Sequence, residues 1–400
     1  MGDFTVKLKI AEKVADYMDL KAASMVVKNQ IKIMTETMKY DNQRIVWTNM
    51  LMPTEPFYAA GLIPIQTELI AGWISTLQFS NRFLQRARSC GYTSNICSYH
   101  KAVIGCLEEG ELPPPQYAVF SSHICDGGSM LLRYLKNRFQ TKILLIDVPY
   151  YNSEENNQLL YQSLQSMIFW LEENTGGQIT PKSISQTVAY SNNAREYFVM
   201  ANELRKHKSL IWGNLAIRNM FGATFLLGSK LGEQVLRTYY EELEEKKSHP
   251  IEGKRILWYH FAPLFEDRIM KYFEQDLKCV IAFDITGYIY FAPLGGDWIQ
   301  SLTDKMMSHF LLGDSKKRMD LYLDILSQYK IDGVVIFMHQ GCRAIPCSSW
   351  ELKEATKKMK IPFLELPGDC IDQNGLSTEQ MKLRMEAYQE RLVNKYVHGN

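Results

Sequence analysis

Short apolar runs alternate with longer helical patterns along this chain, and this alternation is the feature that most constrains its fold. Most of the runs have hydrophobic residues at successive positions, which indicates strands buried on both faces of a sheet. Strands separated by helical segments are typical of a parallel sheet covered by helices. Seven strands are predicted, at residues 44–50, 117–122, 142–148, 255–261, 278–284, 332–338 and 362–366.

The stretch between the two groups of strands has a helical pattern. Ser153 is a candidate helix cap, apolar residues then recur at helical spacing, and Gly176 is a candidate helix end. Pro181 suits the first position of a second helix. The chain is therefore predicted to have four parts: an N-terminal helical segment (1–43), a first α/β domain (44–152), a helical connector (153–250) and a second α/β domain (251–400).

A last helix is predicted near the end of the sequence. Ser377 and Gln380 fit a capping box, in which side chains satisfy free backbone N–H groups at the start of a helix. The apolar residues that follow at helical spacing form one stripe, made of Met381, Met385, Tyr388, Leu392 and Tyr396. We expect this helix to pack on the second α/β domain.

Length and charge exclude several classes of protein. With 400 residues, 46% of them hydrophobic, the chain can form two to three domains. Lysine and arginine (45) balance aspartate and glutamate (44), so net charge attracts neither nucleic acid nor a membrane surface. No run approaches the roughly 18 apolar residues of a membrane span, and the N-terminus has no signal-peptide pattern. A cytoplasmic protein is predicted.

The chain has eight cysteines and no signal-peptide pattern. A disulfide scaffold is therefore not expected, because the cytoplasm keeps thiols reduced. Three of them lie near the carboxyl ends of strands or before a helix, where α/β proteins usually bind ligands. Cys125 follows the strand in YAVFSS, and Cys342 follows the strand in DGVVIFM. Cys97 precedes a helical run that ends near Glu108. If the two sheets face each other across a cleft, the three sulfur atoms can meet there.

Two interpretations of these cysteines stay open from spacing alone. Thiolates from three separate loops can bind three corners of a [4Fe-4S] cluster and leave one iron open, whereas an electron-carrying cluster normally has four ligands. The alternative is three buried structural cysteines, since cysteine is among the most buried residue types. The sequence contains no CxxC pair that would favour the first interpretation.

Several motifs together resemble a known family. In chain order they resemble the 2-hydroxyacyl-CoA dehydratase and benzoyl-CoA reductase subunits, and the resemblance extends from about residue 50 to the C-terminus. The stretches are PTEPFYAAGLIP (53–64), CSYHKAVIGCLEEGELPPP (97–115), SSHICDGG (121–128), DGVVIFMHQGCR (332–343) and the segment 361–392 that begins IPFLELPGDC.

The resemblance implies an α/β fold of two flavodoxin-like domains with parallel sheets, plus N-terminal and central helical segments. It also implies a [4Fe-4S] cluster between the domains, held by Cys97, Cys125 and Cys342, with a double-cubane cluster as the alternative. Cys90 and Cys347 are close enough in sequence to be alternatives to Cys97 and Cys342. The remaining cysteines are expected to be structural, namely Cys106, Cys279 and Cys370.

The implied reaction is loss of water from an (R)-2-hydroxyacyl-CoA through a ketyl radical after one-electron activation. The alternatives are a benzoyl-CoA reductase or double-cubane-type ATP-dependent reductase subunit, and a non-enzymatic electron-relay or scaffold subunit. The segment 222–230 has the wrong spacing for a phosphate loop. The resemblance therefore implies that ATP is used by a separate iron–sulfur activator protein. The other expected partners are an acyl-CoA thioester and a second, homologous subunit in a heterodimer, or a second copy in a homodimer.

Three side chains are candidates for catalysis. Glu55 lies in the PTEP motif, where burial near an apolar pocket would raise its pKa and allow proton exchange. It could equally be a helix-start glutamate stabilised by the helix dipole. His123 and His339 each precede a predicted ligand cysteine and could donate to the cluster or the substrate. Both could equally be ordinary, hydrogen-bonded histidines at strand ends.

Overall fold

The computed structural model describes residues 3–39, 43–210, 220–245, 248–249, 253–375 and 377–397. Its helices are α1 (Asp3–Ala15), α2 (Lys21–Thr37), α3 (Glu55–Ala59), α4 (Thr67–Thr76), α5 (Ser80–Ser89), α6 (Ser98–Glu108), α7 (Asp126–Phe139), α8 (Glu154–Thr175), α9 (Pro181–Arg205), α10 (Lys230–Glu245), α11 (Asp267–Lys271), α12 (Trp298–Met307), α13 (Ser315–Gln328), α14 (Ser349–Lys358) and α15 (Thr378–Val397). None of the helices in these ranges is both long enough and apolar enough to span a bilayer.

Four parallel strands form the first sheet. They are β1 (Ile45–Thr48), β2 (Ile63–Gln66), β3 (Tyr117–Ser121) and β4 (Lys142–Ile146). The spatial order is β2-β1-β3-β4, which is the flavodoxin-like arrangement. The strands predicted from the sequence are confirmed, but β2 was not predicted. It has four residues including Pro64, and a proline is tolerated there because β2 lies at the sheet edge.

Four further parallel strands form the second sheet. Before it in the chain comes a short antiparallel pair, β5 (Ser209–Leu210) and β6 (Ser248–His249). The second sheet contains β7 (Lys254–Tyr259), β8 (Cys279–Asp284), β9 (Gly333–His339) and β10 (Phe363–Gly368). Its order, β10-β9-β7-β8, repeats the arrangement of the first sheet. The predicted α/β fold with two flavodoxin-like sheets is therefore confirmed.

The helical pattern after residue 152 is also confirmed. The Ser153 side chain accepts a hydrogen bond from the Asn156 N–H at 3.2 Å, and α8 ends at Gly176, whose φ of 69° is left-handed. Thr180 and Ser183 form a capping box at the start of α9, where Pro181 occupies the first turn. The buried face of α8 lies in the same apolar cluster as strand residues of the first sheet, and consists of Leu160, Leu164, Met167 and Leu171.

Other helices pack around these layers. Helix α9 contributes Ala194 and Phe198 to a cluster that also contains Val235 of α10 and Val26 of α2. In α1, Phe4 belongs to the large core cluster that includes both sheets. The division into four segments at residues 43, 152 and 250 stays a prediction.

The C-terminal helix α15 packs on the second sheet. The Gln380 N–H donates to the Ser377 hydroxyl at 3.4 Å, in agreement with the predicted cap. The stripe residues Met381, Met385, Tyr388 and Leu392 are buried, while the side chain of Tyr396 lies outside the described residues. The Tyr388 hydroxyl donates to the Val334 carbonyl at 3.1 Å, which ties the helix to β9.

Substituting Gly333 by alanine should destabilise this packing. A Cβ atom at Gly333 would lie 2.1 Å from the Tyr388 hydroxyl oxygen and 2.7 Å from Leu392 Cδ2. Overpacking of this kind typically costs about 1–3 kcal/mol of unfolding free energy. Gly295→Ala is the matched control, because a Cβ there meets nothing within 4 Å. Urea unfolding should show the loss for Gly333→Ala only, and equal stability of the two variants would contradict this account of the packing.

Candidate active site

The carboxyl ends of the two sheets open onto one cavity of about 360 Å³. In a flavodoxin-like sheet, ligands bind beyond the carboxyl ends of the first and third strands, where the strand order reverses. Asn49 and Cys125 follow these strands in the first sheet, while His260 and Cys342 follow them in the second. All four residues line the cavity, and so does Cys97. The fold thus directs both ligand-binding edges to the same space.

Cys125 is the N-cap residue of α7. Burial raises the pKa of its thiol, and the backbone N–H groups of Gly128 and Gly127, which point to the thiol, offset part of this rise. A Cβ atom at Gly127 would lie 2.5 Å from the imidazole of His100, so this close approach requires glycine. A helix N-terminus with free N–H groups favours a thiolate over a thiol.

Cys97 is the N-cap residue of α6, and the loop that carries Cys342 packs directly against it. A Cβ atom at Gly341 would lie 3.0 Å from both the N and the Cα of Cys97. Gly341 also has a φ of +84°, a conformation that favours glycine. Two segments that are far apart in sequence are therefore brought into contact at the cavity wall.

Burial raises the pKa of the Cys97 thiol well above its usual value, and the neighbouring Cys342 and Cys125 raise it further. Burial also raises the pKa values of Cys125 and Cys342. A bound cationic group stabilises thiolates, so it would lower the free-energy cost of ionising these buried thiols. The three thiols therefore fit a cationic cofactor that they share.

A single metal ion is a poor fit for this arrangement. Within the described ranges, no group of three His, Cys, Asp or Glu side chains is suited to hold one metal ion. In a cubane cluster each thiolate binds a different iron, so its ligands surround a larger object. Three cysteines from separate segments that line one cavity provide thiol ligands of the kind that such a cluster takes.

The two alternative cysteines lie elsewhere. Cys90 and Cys347 are exposed, and neither lines the cavity. The Cys347 thiol accepts a hydrogen bond from the Arg318 guanidinium at 2.7 Å. The three cysteines expected to be structural, Cys106, Cys279 and Cys370, are buried in the apolar core.

His339 contacts Cys97 in a defined tautomer. Its Nδ1 accepts a hydrogen bond from the Cys370 N–H at 3.0 Å, so in the neutral ring the proton lies on Nε2. Nε2 lies 3.4 Å from Cys97 Sγ and can donate to it. Burial lowers the pKa of His339 to about 3, which keeps the ring neutral.

His123 also lines the cavity and lies against His309. The Nε2 of His123 is 3.1 Å from Nδ1 of His309, which also accepts the Leu311 N–H at 3.2 Å. Since His309 Nδ1 is the acceptor in both contacts, His123 donates from Nε2. Burial lowers the pKa of His123 to about 3.

Glu55 is fully buried and is not itself among the residues that line the cavity. Its Oε1 accepts hydrogen bonds from Lys305 Nζ at 2.6 Å and from the Ser191 hydroxyl at 2.7 Å. Burial raises the pKa of Glu55, but the Lys305 charge and these hydrogen bonds outweigh burial and hold the pKa below its usual value. The expectation that its pKa would be raised is wrong, because its lysine partner is about 250 positions away and left no local pattern.

Lys305 brings this ion pair to the cavity. It lines the cavity wall and its Nζ lies 4.3 Å from the centre of the Phe291 ring. The second carboxylate oxygen of Glu55, Oε2, is buried and has no hydrogen-bond partner among the described residues. The pair therefore has an unsatisfied acceptor behind a cation that faces the cavity.

Two further cavity residues were missed in the sequence. Glu68 lies in the first turn of α4, just after β2, and burial raises its pKa to about 7. A prediction of β2 would have placed Glu68 at the carboxyl end of a strand. His100 has Nε2 4.0 Å from Cys125 Sγ, and its Nδ1 is buried without a partner in the described part of the chain. Its position three residues after Cys97 was the available signal.

Comparison with known proteins finds relatives that match most of the chain. A model of the family described as 2-hydroxyglutaryl-CoA dehydratase, D-component, matches residues 49–392. The (R)-2-hydroxyisocaproyl-CoA dehydratase alpha subunit of Clostridioides difficile is 21% identical, over 88% of this chain and 91% of the relative. The lactoyl-CoA dehydratase alpha subunit of Anaerotignum propionicum is 20% identical, over 88% and 92%.

A reductase subunit is similar to the same degree. One of the benzoyl-CoA reductase subunits of Thauera aromatica is 20% identical, over 79% of this chain and 81% of the relative. The named relatives are thus subunits of dehydratases and of a related reductase. Because the family match covers most of its length, this chain belongs to the 2-hydroxyglutaryl-CoA dehydratase D-component family.

Proposed function

We propose that this chain is the iron–sulfur subunit of a 2-hydroxyacyl-CoA dehydratase, a hydro-lyase. The reaction is removal of water from an (R)-2-hydroxyacyl-CoA through a ketyl radical after one-electron activation. The observation that supports this most is that Cys97, Cys125 and Cys342 line one cavity in a chain of this family. The dehydratase relatives, whose lengths the chain nearly spans, support the reaction class.

The three cysteines are the proposed ligands of a [4Fe-4S] cluster. When bound, the cluster supplies one electron and an open iron that acts as a Lewis acid. The chain contributes the thiolates of Cys97 and Cys125 at two helix N-termini, and that of Cys342 from the loop after β9. Backbone N–H groups near Cys125 and Cys342 stabilise the thiolate forms. The mainly apolar wall excludes water from the reacting group.

The proposed proton-handling residues differ in their access to the cavity. Glu55 is ionised behind Lys305, so proton exchange at its carboxylate passes through the Lys305 ammonium, which faces the cavity. His123 faces the cavity directly and donates a hydrogen bond from Nε2 to His309. Its Nδ1 is then an acceptor for a substrate hydroxyl. His339 is proposed to act on Cys97 rather than on the substrate.

The proposed partners follow from the same assignment. Several relatives are named as alpha or beta subunits, and a homologous second subunit is accordingly proposed here. A separate ATP-dependent iron–sulfur activator would supply the electron, and the enzyme would work in the cytoplasm. The substrate is an acyl-CoA thioester.

Reconstitution of turnover tests the proposal. The anaerobically purified chain, combined with its partner subunit, the activator and ATP, should release water from an (R)-2-hydroxyacyl-CoA, and mass spectrometry should detect the enoyl-CoA. Lack of turnover for 2-hydroxyacyl thioesters, together with reduction of an aromatic thioester, would instead assign the chain to the reductase branch. Cys125→Ala in the same mixture is the negative control.

His339 should tune the cluster without holding it. Replacing His339 by leucine removes the Nε2–H that faces Cys97 Sγ at 3.4 Å. Hydrogen bonds to cluster sulfurs raise the reduction potential, so His339→Leu should lower it while iron content is retained. His339→Gln, which keeps a side-chain N–H, should lie between wild type and leucine. A redox titration followed by EPR measures this, and an unchanged potential in His339→Leu would contradict the role.

A further inference from the structure

The charges and aromatic rings of the cavity wall limit which acyl groups the substrate can carry. We infer that the cavity binds an uncharged, apolar acyl group, branched or aromatic, and excludes an acyl group that ends in a second carboxylate. This inference rests on the proposed function, because it assumes that the thioester enters this cavity.

One aromatic wall begins next to the Cys97 side of the site. His260 stacks on His339, with ring centres 5.5 Å apart. Phe261 follows His260, and its ring centre lies 5.0 Å from that of Phe221. Phe225 lies 5.0 Å from Phe221 in turn. These three phenylalanines line the cavity and form a continuous apolar surface that starts one side chain away from the histidine at Cys97.

A second aromatic wall begins next to Cys125. The His123 ring contacts His309, whose ring centre lies 4.4 Å from Tyr290 and 4.7 Å from Phe310. Tyr290 and Phe310 line the cavity. Both routes away from the cysteines therefore lead to aromatic rings. Such surfaces bind branched and aromatic groups through apolar burial and ring contacts.

The cations of the wall already have anionic partners. Among the described lining residues, the lysine and arginine side chains are Lys305 and Arg343. Lys305 pairs with Glu55 at 2.6 Å and both side chains are buried, whereas Arg343 pairs with Asp126 at 2.8 Å with side chains that are 77% and 72% exposed. The further carboxyl group of the wall, Glu68, adds negative rather than positive charge when ionised. Within this described wall, a second substrate carboxylate would find no cation that lacks a partner.

The cost of burying such a carboxylate sets the expected size of the effect. A buried anion without a partner loses several kcal/mol of hydration, whereas an isosteric alkyl group gains from the same burial. We therefore expect at least about a 100-fold difference in affinity between matched ligands, which corresponds to two factors of ten in Kd.

A matched pair of thioesters provides the test. (R)-2-Hydroxyglutaryl-CoA and (R)-2-hydroxy-5-methylhexanoyl-CoA have the same branched skeleton of non-hydrogen atoms, and a carboxylate in one replaces an isopropyl group in the other. Competition binding to the cluster-loaded complex with its partner subunit, in the absence of activator, measures equilibrium affinity without turnover. The branched thioester should bind at least about 100-fold more tightly. Equal binding, or tighter binding of the dicarboxylate, would overturn the inference.

A variant pair on the wall tests where the acyl group lies. Ile289 is partly buried, lines the cavity and precedes Tyr290. Ile289→Arg adds a cation without a built-in partner and should reduce the preference for the branched thioester at least about tenfold, whereas Ile289→Met should leave it unchanged. An unchanged preference in the folded, cluster-loaded arginine variant would contradict placement of the acyl group at this wall.

The same experiment separates the inference from the proposed function. If the complex binds both thioesters and prefers the dicarboxylate, the proposed function stands and the inference fails. If neither thioester binds while the cluster is fully loaded, the proposed function itself fails. The relative affinity of the wild-type complex for the two thioesters tests the inference even if an Ile289 variant does not fold.

Discussion

Cys125→Ala should abolish cluster binding. Cys125 lies at the start of α7, lines the cavity and has two backbone N–H groups directed at its thiol. Changes to residues around a metal site typically lower metal affinity by about 10–100-fold, and loss of a ligand should lower it further. After anaerobic purification and reconstitution, the variant should retain little iron or acid-labile sulfide. Cys97→Ala and Cys342→Ala should behave in the same way.

Cys90→Ala and Cys347→Ala are the matched controls for this series. Both thiols are exposed and lie outside the cavity wall, so both variants should keep the iron content of the wild type. Circular dichroism should show that all five variants are folded. If Cys90→Ala or Cys347→Ala lost the cluster while its neighbour kept it, the ligand assignment would be wrong.

Breaking the Glu55–Lys305 pair should cause the largest loss of stability. Both side chains are buried and their charged atoms are 2.6 Å apart. Removing one member of such a pair leaves an uncompensated charge and typically costs about 3–5 kcal/mol of unfolding free energy. Glu55→Gln and Lys305→Met should each show this loss in urea unfolding. The double variant should lose much less than the sum, because it leaves no isolated charge.

The exposed pair formed by Asp16 and Lys28 is the control for this experiment. Its side chains are 58% and 43% exposed, and pairs of this kind contribute only about 0–1 kcal/mol. Asp16→Asn and Lys28→Met should therefore have small effects. Equal losses for the exposed and the buried pair, or additive losses in the buried double variant, would contradict the account.

The stability that Glu55 contributes should also depend on pH. Its pKa is lower in the folded protein than in the unfolded chain. The unfolded state therefore takes up protons first as pH falls, and the contribution is lost below the ordinary glutamate pKa. The stability difference between wild type and Glu55→Gln should be largest at neutral pH and shrink in acid. A difference that grows in acid would mean that the pKa is raised.

The strands could be predicted where burial on both faces requires a long run of apolar residues in the sequence. Strands such as β3 and β9 are buried along most of their length, so their residues are nearly all hydrophobic. Strand β2 was missed because four residues with a proline do not form such a run. The helix starts at Ser153 and Pro181 were predictable because residue preferences there depend on local backbone geometry.

The site was less predictable, because its contacts join distant parts of the chain. Cys97, Cys125 and Cys342 could be singled out by their places beside strands and helices and by the family resemblance. Lys305 could not, since nothing near it in sequence indicates its contact with Glu55. The Cys370 N–H that orients His339 depends in the same way on how β9 and β10 pack. Tertiary packing, rather than any local pattern, sets these contacts.

The central claim is that the cavity between the two sheets holds an iron–sulfur cluster with one open iron. The direct measurement is iron and acid-labile sulfide content of the wild-type protein purified under strict anaerobiosis, with EPR spectra recorded before and after addition of an acyl-CoA thioester. The account predicts about four iron and four sulfide atoms per chain, and a spectrum that changes when the thioester binds. About eight iron atoms per chain would indicate the double-cubane alternative, which contains two cubanes of four irons each. A colourless, iron-free protein would contradict the claim.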